Sequence, residues 1–274
     1  MSKSTTKAPA IQAESSKYEK IIEHVFHKNY LAGATQFLFK REEMTAAASA
    51  LGMPPIKNIG DVPYSFRYRR QLPVSIRATA TNGREWIIRG AGIGKYEFKQ
   101  AVIANIIPRE GMLAIKVPEA TPEIITAYAL TDEQALLAKV RYNRLIDTFL
   151  GVTTYSLQSH LRTTVTNIGQ IEIDEVYVGI DSKGRQYIIP VQAKGGDDKH
   201  GPIQTEQDIL WCAEKFPQLI CRAISVQFAT TGNIVMFELT SQDDEIRIVT
   251  ERHYQLVEAK KITADDLRLY AATP

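Results

Sequence analysis

Residues 169–196, GQIEIDEVYVGIDSKGRQYIIPVQAKGG, set the tightest limit on what this chain can become. Apolar and polar residues alternate along IEIDEVYVGI, the turn sequence DSKGR follows, and QYIIPVQAK makes a second extended run. A period of two flanking a turn predicts a β-hairpin. Alternation puts Glu172 and Asp174 on one face of the first strand, and Gln192 and Lys194 on one face of the second. The hairpin brings those faces together, so an acid pair, an amide and a lysine meet at the end of a strand pair. Glu175 faces away unless a bulge re-aims it.

The flanks extend the pattern. TDEQALLAKVRYNRLIDTFLG, residues 131–151, predicts one helix with Thr131 as N-cap, Asp132 and Glu133 in the first turn and Gly151 closing it. Leu136, Leu137, Val140, Leu145, Ile146 and Phe149 form its apolar stripe. YSLQSHLRTTV (155–165) reads as a strand, 204–216 as a helix in which Trp211 and Cys212 are core, and ICRAISVQFAT as a further strand. The order is helix, three strands, helix, strand.

An acid followed on the next strand by Glu/Gln-x-Lys suits metal-dependent phosphodiester hydrolysis. A carboxylate supplies hard oxygen to magnesium. The ion polarises the phosphate and lowers the pKa of a bound water. A lysine orients that water or balances the charge that builds on phosphorus. On these residues and this order, segment 131–250 resembles the PD-(D/E)XK nuclease superfamily, the fold of many restriction endonucleases. The resemblance implies an α/β (α+β) core, a central mixed sheet flanked by helices. It implies Asp174 as the metal aspartate, Gln192 in the place of the usual glutamate, and Lys194 as the catalytic lysine. Glutamine there is the pattern of the Mrr-like branch, and another acid is then expected to complete the Mg2+ shell. Glu172 is the first choice, with Glu175 and Glu133 as accessory candidates. In this family the helix after the lysine strand often carries a polar residue into the site, which Gln204 or Gln207 would do here. His200, in the polar loop with Asp197, Asp198 and Lys199, is a further accessory candidate.

The first third of the chain has a different character. Residues 56–99 hold nine Lys or Arg against three acids, a surplus of six in a chain whose net charge is +2, so the remainder is net negative. Residues 18–39 carry apolar positions at helical spacing (Ile21, Ile22, Val25, Phe26, Leu31, Phe37), and REEMTAAASAL (41–51) is a helix that Gly52 ends. A basic helix at 58–71 and a hairpin turning at Asn82-Gly83 follow. This order resembles a winged helix-turn-helix domain. Tyr64, Arg67, Arg69 and Arg70 would face DNA from the second helix, and Arg84 and Arg89 from the wing. The run Gly90-Ala91-Gly92-Ile93-Gly94-Lys95 lacks phosphate-loop spacing, and Tyr96 stands where Ser or Thr is needed, so it reads as a glycine-rich bend.

These readings divide the chain into a disordered tail (1–17), a winged-helix-like DNA-binding domain (18–120), a nuclease domain (125–258) and a C-terminal helix or tail (259–274). Hydrophobic residues at 44% and charged residues at 23% exclude wholesale disorder and fibrous repeats. MSKSTTKAPAIQAESSK is too polar for a signal peptide, and no apolar run approaches membrane-spanning length, so a cytoplasmic protein without a membrane partner is expected. Cys212 and Cys221 are expected reduced, with no zinc spacing among the cysteines and histidines. No Gly-x-Ser-x-Gly elbow supports serine hydrolysis. The expected activity is a Mg2+-dependent endonuclease of double-stranded DNA, a type II restriction enzyme. It would act as a homodimer, because two strands need two sites, and alongside a cognate DNA methyltransferase. The alternatives are a modification-dependent, Mrr-like nuclease, or a DNA-binding regulator or repair factor with an inactive nuclease-like lobe.

Overall fold

The computed structural model describes residues 8–68, 70–102, 106–128, 132–195, 200–229, 232–243 and 245–272. Thr131, Arg69, Asp197, Asp198 and Lys199 lie outside the described residues. The chain divides into two compact units, Met1–Ala104 with Thr166–Gly169, and Asn105–Val165 with Gln170–Pro274.

In the first unit the elements run α1 (Ala8–Asn29), β1 (Gln36–Lys40), α2 (Arg41–Ala50), α3 (Asp61–Tyr68), α4 (Val74–Arg77), β2 (Glu85–Gly90) and β3 (Lys95–Ala101). The strands form an antiparallel sheet in the order β1-β3-β2. Ile22, Phe26, Met44, Val62, Ile76, Ile88 and Phe98 are buried together between helices and sheet. α1 takes in residues 8–17, assigned above to a disordered tail; alanines and Glu14 favour helix there. Phe37, placed above on a helical stripe, lies in β1. Gly33 (φ +86°) ends the helical run, and Phe37 and Phe39 both pack on Phe98. α2 begins with a capping box in which Glu43 accepts the Lys40 N–H at 2.8 Å, and Gly52 (φ +64°) follows its end.

The hairpin turn is not at Asn82-Gly83. After Pro73, Val74–Arg77 form α4 and bury Ile76, and Thr79 Oγ1 donates back to the Ile76 carbonyl. Asn82-Gly83 falls in the turn that leads into β2. The β2–β3 connection is the glycine-rich run instead, where Gly92 (φ +116°) and Gly94 (φ +67°) adopt conformations that a side chain disfavours.

The second unit is mixed α/β. It holds β4 (Ala114–Pro118), α5 (Glu123–Tyr128), α6 (Asp132–Tyr142), α7 (Leu145–Leu150), β5 (Thr153–Val165), β6 (Gly169–Ile180), β7 (Gln186–Lys194), α8 (Pro202–Lys215), β8 (Ile220–Cys221), β9 (Ala223–Phe228), β10 (Ile234–Gln242), β11 (Glu245–Val257) and α9 (Ala264–Ala272). Its sheet runs β4-β11-β10-β9-β7-β6-β5, with β8 pairing β7. β6 and β7 are antiparallel, and β9 returns parallel to β7 after the α8 crossover. β4 pairs with β11, so residues 114–118 join this sheet, although the boundary drawn from sequence left them in the first domain.

β7 is buried from Tyr187 to Ala193, which explains its nearly continuous apolar run. Pro190 stands between the β8 register (Tyr187, Ile188) and the β9 register (Val191–Lys194), where its missing N–H removes no ladder bond on that side. One face of the sheet buries Val191, Ala193, Ile224 and Met236 with Leu136, Val140 and Ile146 of α6 and α7. Val235, Phe237 and Leu239 pack with Ile209 of α8. The helix expected over 131–151 is two helices. Arg144 (φ +50°) breaks it, and the Asn143 amide group donates to the Lys139 carbonyl and to Thr121 Oγ1. Gly151 (φ +66°) caps α7 in the left-handed region, as its sequence position suggested.

Candidate active site

The β6–β7 ladder ends at the pair Glu175–Val191. Beyond it, β7 continues against β9 through Gln192–Ser225 and Lys194–Gln227. β6 therefore parts from β7, and side chains fill the fork. Asp174 Oδ2 accepts the Ala193 N–H at 2.8 Å, a bond that a ladder carbonyl would otherwise receive. Gln192 Nε2 donates across the fork to the Glu172 carbonyl at 3.0 Å and to Asp208 Oδ2 of α8 at 3.0 Å. Strand alternation and the splay together gather Asp174, Gln192 and Asp208, with Lys194 next along β7.

The electrostatics fit a cation site. Burial pushes the Asp174 carboxyl above its ordinary value, against the opposing pull of the Ala193 N–H and the positive charges of Lys194 and His160. Burial also holds Asp208 well above the usual carboxylate range, and the negative charge of Asp174 adds to that shift. Both carboxyls are therefore disfavoured in their charged form, chiefly by burial, and a cation beside them would offset that cost. Their donors are hard oxygens. Among the described residues no three His, Cys, Asp or Glu side chains gather in a metal-binding group. Magnesium still suits such a set, because it takes one or two carboxylates and completes its shell with water and substrate phosphate. Asp174 and the Gln192 Oε1 are the first candidates to hold it.

The other sequence candidates fall elsewhere. Glu172 is on the face expected, but its carboxylate is half exposed and pairs with Arg162 Nε at 3.2 Å. Glu175 points to the opposite face, where it is buried and accepts from Arg141 and Tyr177. Its role is therefore in the packing of α6. Glu133 lies in the first turn of α6, the helix that packs on that opposite face. Gln204 is half-buried and Gln207 buried, while the polar residue that α8 delivers to Gln192 is Asp208. Sequence reasoning missed Asp208, although the signal was present. Thr205, Asp208 and Cys212 form a helical stripe, and all three are buried, so an acid sits on the inward face. His160 of β5 was missed as well. Its influence depends on a long-range strand neighbour that no local pattern reveals.

His200 is buried rather than in open solvent. Its Nε2 lies 2.9 Å from Thr205 Oγ1, and Nδ1 has no hydrogen-bond partner among the described residues. Burial and the Lys194 charge push its pKa down to about 3, so the ring is neutral near pH 7.

In the first unit, Tyr64 is exposed on α3, and Arg67 and Arg70 are half-buried. Arg84 Nη1 donates to the Gln100 carbonyl at 3.3 Å. Arg89 lies 3.8 Å from Glu97 across the β2–β3 pair. Tyr64 and Arg67 sit on α3, Arg70 just past its end, Arg84 on the approach to β2 and Arg89 on β2 itself, rather than on one helix and a wing tip. No helix of the described residues is long and apolar enough to cross a membrane. No family model, no curated protein and no solved structure matches this chain.

Proposed function

We propose that the protein is a Mg2+-dependent DNA endonuclease of the PD-(D/E)XK type. The observation that carries this reading is the fork itself. Asp174, Gln192 and Lys194 stand where β6 leaves β7, within a helix, three-strand, helix, parallel-strand order. In the proposed reaction Asp174 and the Gln192 amide oxygen hold the ion. Bound Mg2+ supplies Lewis acidity toward the phosphate and acidifies a water. Lys194 holds that water in line or balances charge on the phosphoryl oxygens. The pocket's burial strengthens these interactions.

The first unit supports a DNA-binding role. Its element order, α1-β1-α2-α3-α4-β2-β3 with a β1-β3-β2 sheet, resembles that of a winged helix with one added helical turn, and Tyr64, Arg67, Arg70, Arg84 and Arg89 would supply contacts. A type II restriction role then calls for a homodimer, a cognate methyltransferase and a cytoplasmic location. Gln192 in place of a carboxylate favours a modification-dependent nuclease as the second reading. The small number of described metal donors favours the third, a regulator or repair factor with an inactive lobe.

The test is incubation of the purified full chain with long plasmid or phage DNA, unmodified and methylated, in Mg2+ or EDTA. Discrete Mg2+-dependent fragments from unmodified DNA support the type II reading. Fragments from methylated DNA alone support the modification-dependent one. Binding without cleavage of either substrate removes the enzyme reading.

A further inference from the structure

Gln192 Nε2 carries two protons, and the fork uses both. One acceptor is the Glu172 carbonyl at 3.0 Å; the other is the Asp208 carboxylate, with Oδ2 at 3.0 Å and Oδ1 at 3.3 Å. A backbone carbonyl only accepts, so the amide nitrogen has to face it. The amide is thus turned one way, and Oε1 is the polar atom left for a cation. This orientation matters because glutamine, unlike glutamate, has two chemically different ends. The wrong end presents N–H groups to a metal.

The two acceptors are not equivalent. The Glu172 carbonyl belongs to β6 beyond its last paired residue with β7, where strand pairing no longer fixes its distance. Asp208 sits on the buried face of a fourteen-residue helix, anchored by Ile203, Trp211 and Cys212. It reaches Gln192 from a rigid element, and 2% of its surface is exposed.

We infer that Asp208 is a positioning residue that locks the Gln192 amide with Oε1 toward the cation, so that glutamine serves where a carboxylate would otherwise be needed. The inference deepens the nuclease reading and rests on the metal site proposed there. Outer partners that orient metal ligands typically change affinity by about 10–100-fold when removed.

The experiment measures Mn2+ binding to the full chain by electron paramagnetic resonance, without DNA. It compares wild type with Asp208→Ala, Asp208→Leu, Asp208→Asn and Gln192→Glu, and with Asp208→Ala in the Gln192→Glu background. Thermal melts verify folding, and the leucine variant, of similar volume, substitutes for alanine if the cavity prevents folding. Removing the carboxylate weakens Mn2+ about tenfold. Asparagine, whose Oδ1 still accepts from Nε2, restores most of the affinity. In the Gln192→Glu background the Asp208→Ala change costs nothing, because a carboxylate offers oxygen in either orientation. Wild-type affinity in Asp208→Ala and Asp208→Leu overturns the inference. An equal loss in both backgrounds also overturns it, since Asp208 then acts independently of the amide. Wild type that binds no Mn2+ overturns the inference and the nuclease reading together. Mn2+ binding with the predicted pattern, but no DNA cleavage, sustains the inference and removes only the nuclease reading.

Discussion

Arg141→Met strands a carboxylate. Glu175 is 1% exposed and accepts from Arg141 and from the Tyr177 hydroxyl, while the Arg141 side chain is 43% exposed and can turn outward. Methionine keeps the length of the stem and removes the charge. Breaking a buried ion pair from one side costs about 3–5 kcal/mol, because the remaining charge is uncompensated. Tyr177 still donates, so the expected loss is near the lower bound, about 3 kcal/mol. Replacing Glu175 by Gln in the same chain removes the stranded charge and recovers about 2 kcal/mol, a coupling of the size seen for residues in direct contact. The assay is urea unfolding followed by tryptophan fluorescence. The chain has two tryptophans, Trp86 in the first unit and Trp211 in the second, so a Trp86→Phe background reports the second unit alone. Mn2+ affinity stays unchanged, because Glu175 lies on the face opposite Asp174. A loss below about 1 kcal/mol refutes the burial argument. So does a double variant no more stable than the single one. A change in Mn2+ affinity would return Glu175 to the metal site.

Other predictions follow from the same geometry. His200 is neutral when folded, with its pKa depressed to about 3 by burial, while the unfolded chain titrates near the ordinary value of 6.5. The unfolded state therefore takes up this proton first, and stability is lost as pH falls from 6.5 toward 3; His200→Gln flattens that part of a pH–stability curve measured by urea unfolding. Asp208 has the opposite sign. Its folded pKa is raised, so it costs stability as pH rises above the ordinary value of 3.8, and Asp208→Asn removes that loss. In the first unit, the double change Arg67→Ala/Arg70→Ala lowers the slope of log affinity against log salt for duplex DNA by about two if both touch phosphate. An unchanged slope moves the DNA contacts elsewhere.

Much of the site was legible locally. Period-two alternation over 171–180 and 186–194 gave the hairpin strands, and the same rule put Asp174 and Gln192 on one side and Glu175 on the other. Helix punctuation at Gly52 and Gly151 was equally readable, because a left-handed residue after a helix strongly favours glycine. What escaped depends on distant partners. The Asn82-Gly83 signal lost to Pro73 and the burial of Ile76, which made a helical turn of a segment that alternates on paper. The apolar stripe over 136–149 conceals a break, because Asn143 finds acceptors in Lys139 and in Thr121 of the preceding connection. Asp208 was passed over because an acid on a helix is ordinarily solvated. Only the α8 crossover above β7 shows that this one faces Gln192.

The proposed nuclease role requires that the β6–β7 fork perform hydrolysis and not merely support the fold. The most direct measurement is single-turnover cleavage of a DNA that the wild type cuts, with Mg2+, by wild type, Asp174→Asn and Lys194→Met. DNA affinity is measured in parallel with Ca2+ in place of Mg2+. Asparagine retains an acceptor for the Ala193 N–H, and methionine retains the lysine stem, so both variants keep the fold. Each variant is expected to keep wild-type DNA affinity while cleavage falls at least about 100-fold, the scale of losing one electrostatic stabiliser of the transition state. Cleavage within a few-fold of wild type in either variant would contradict that role.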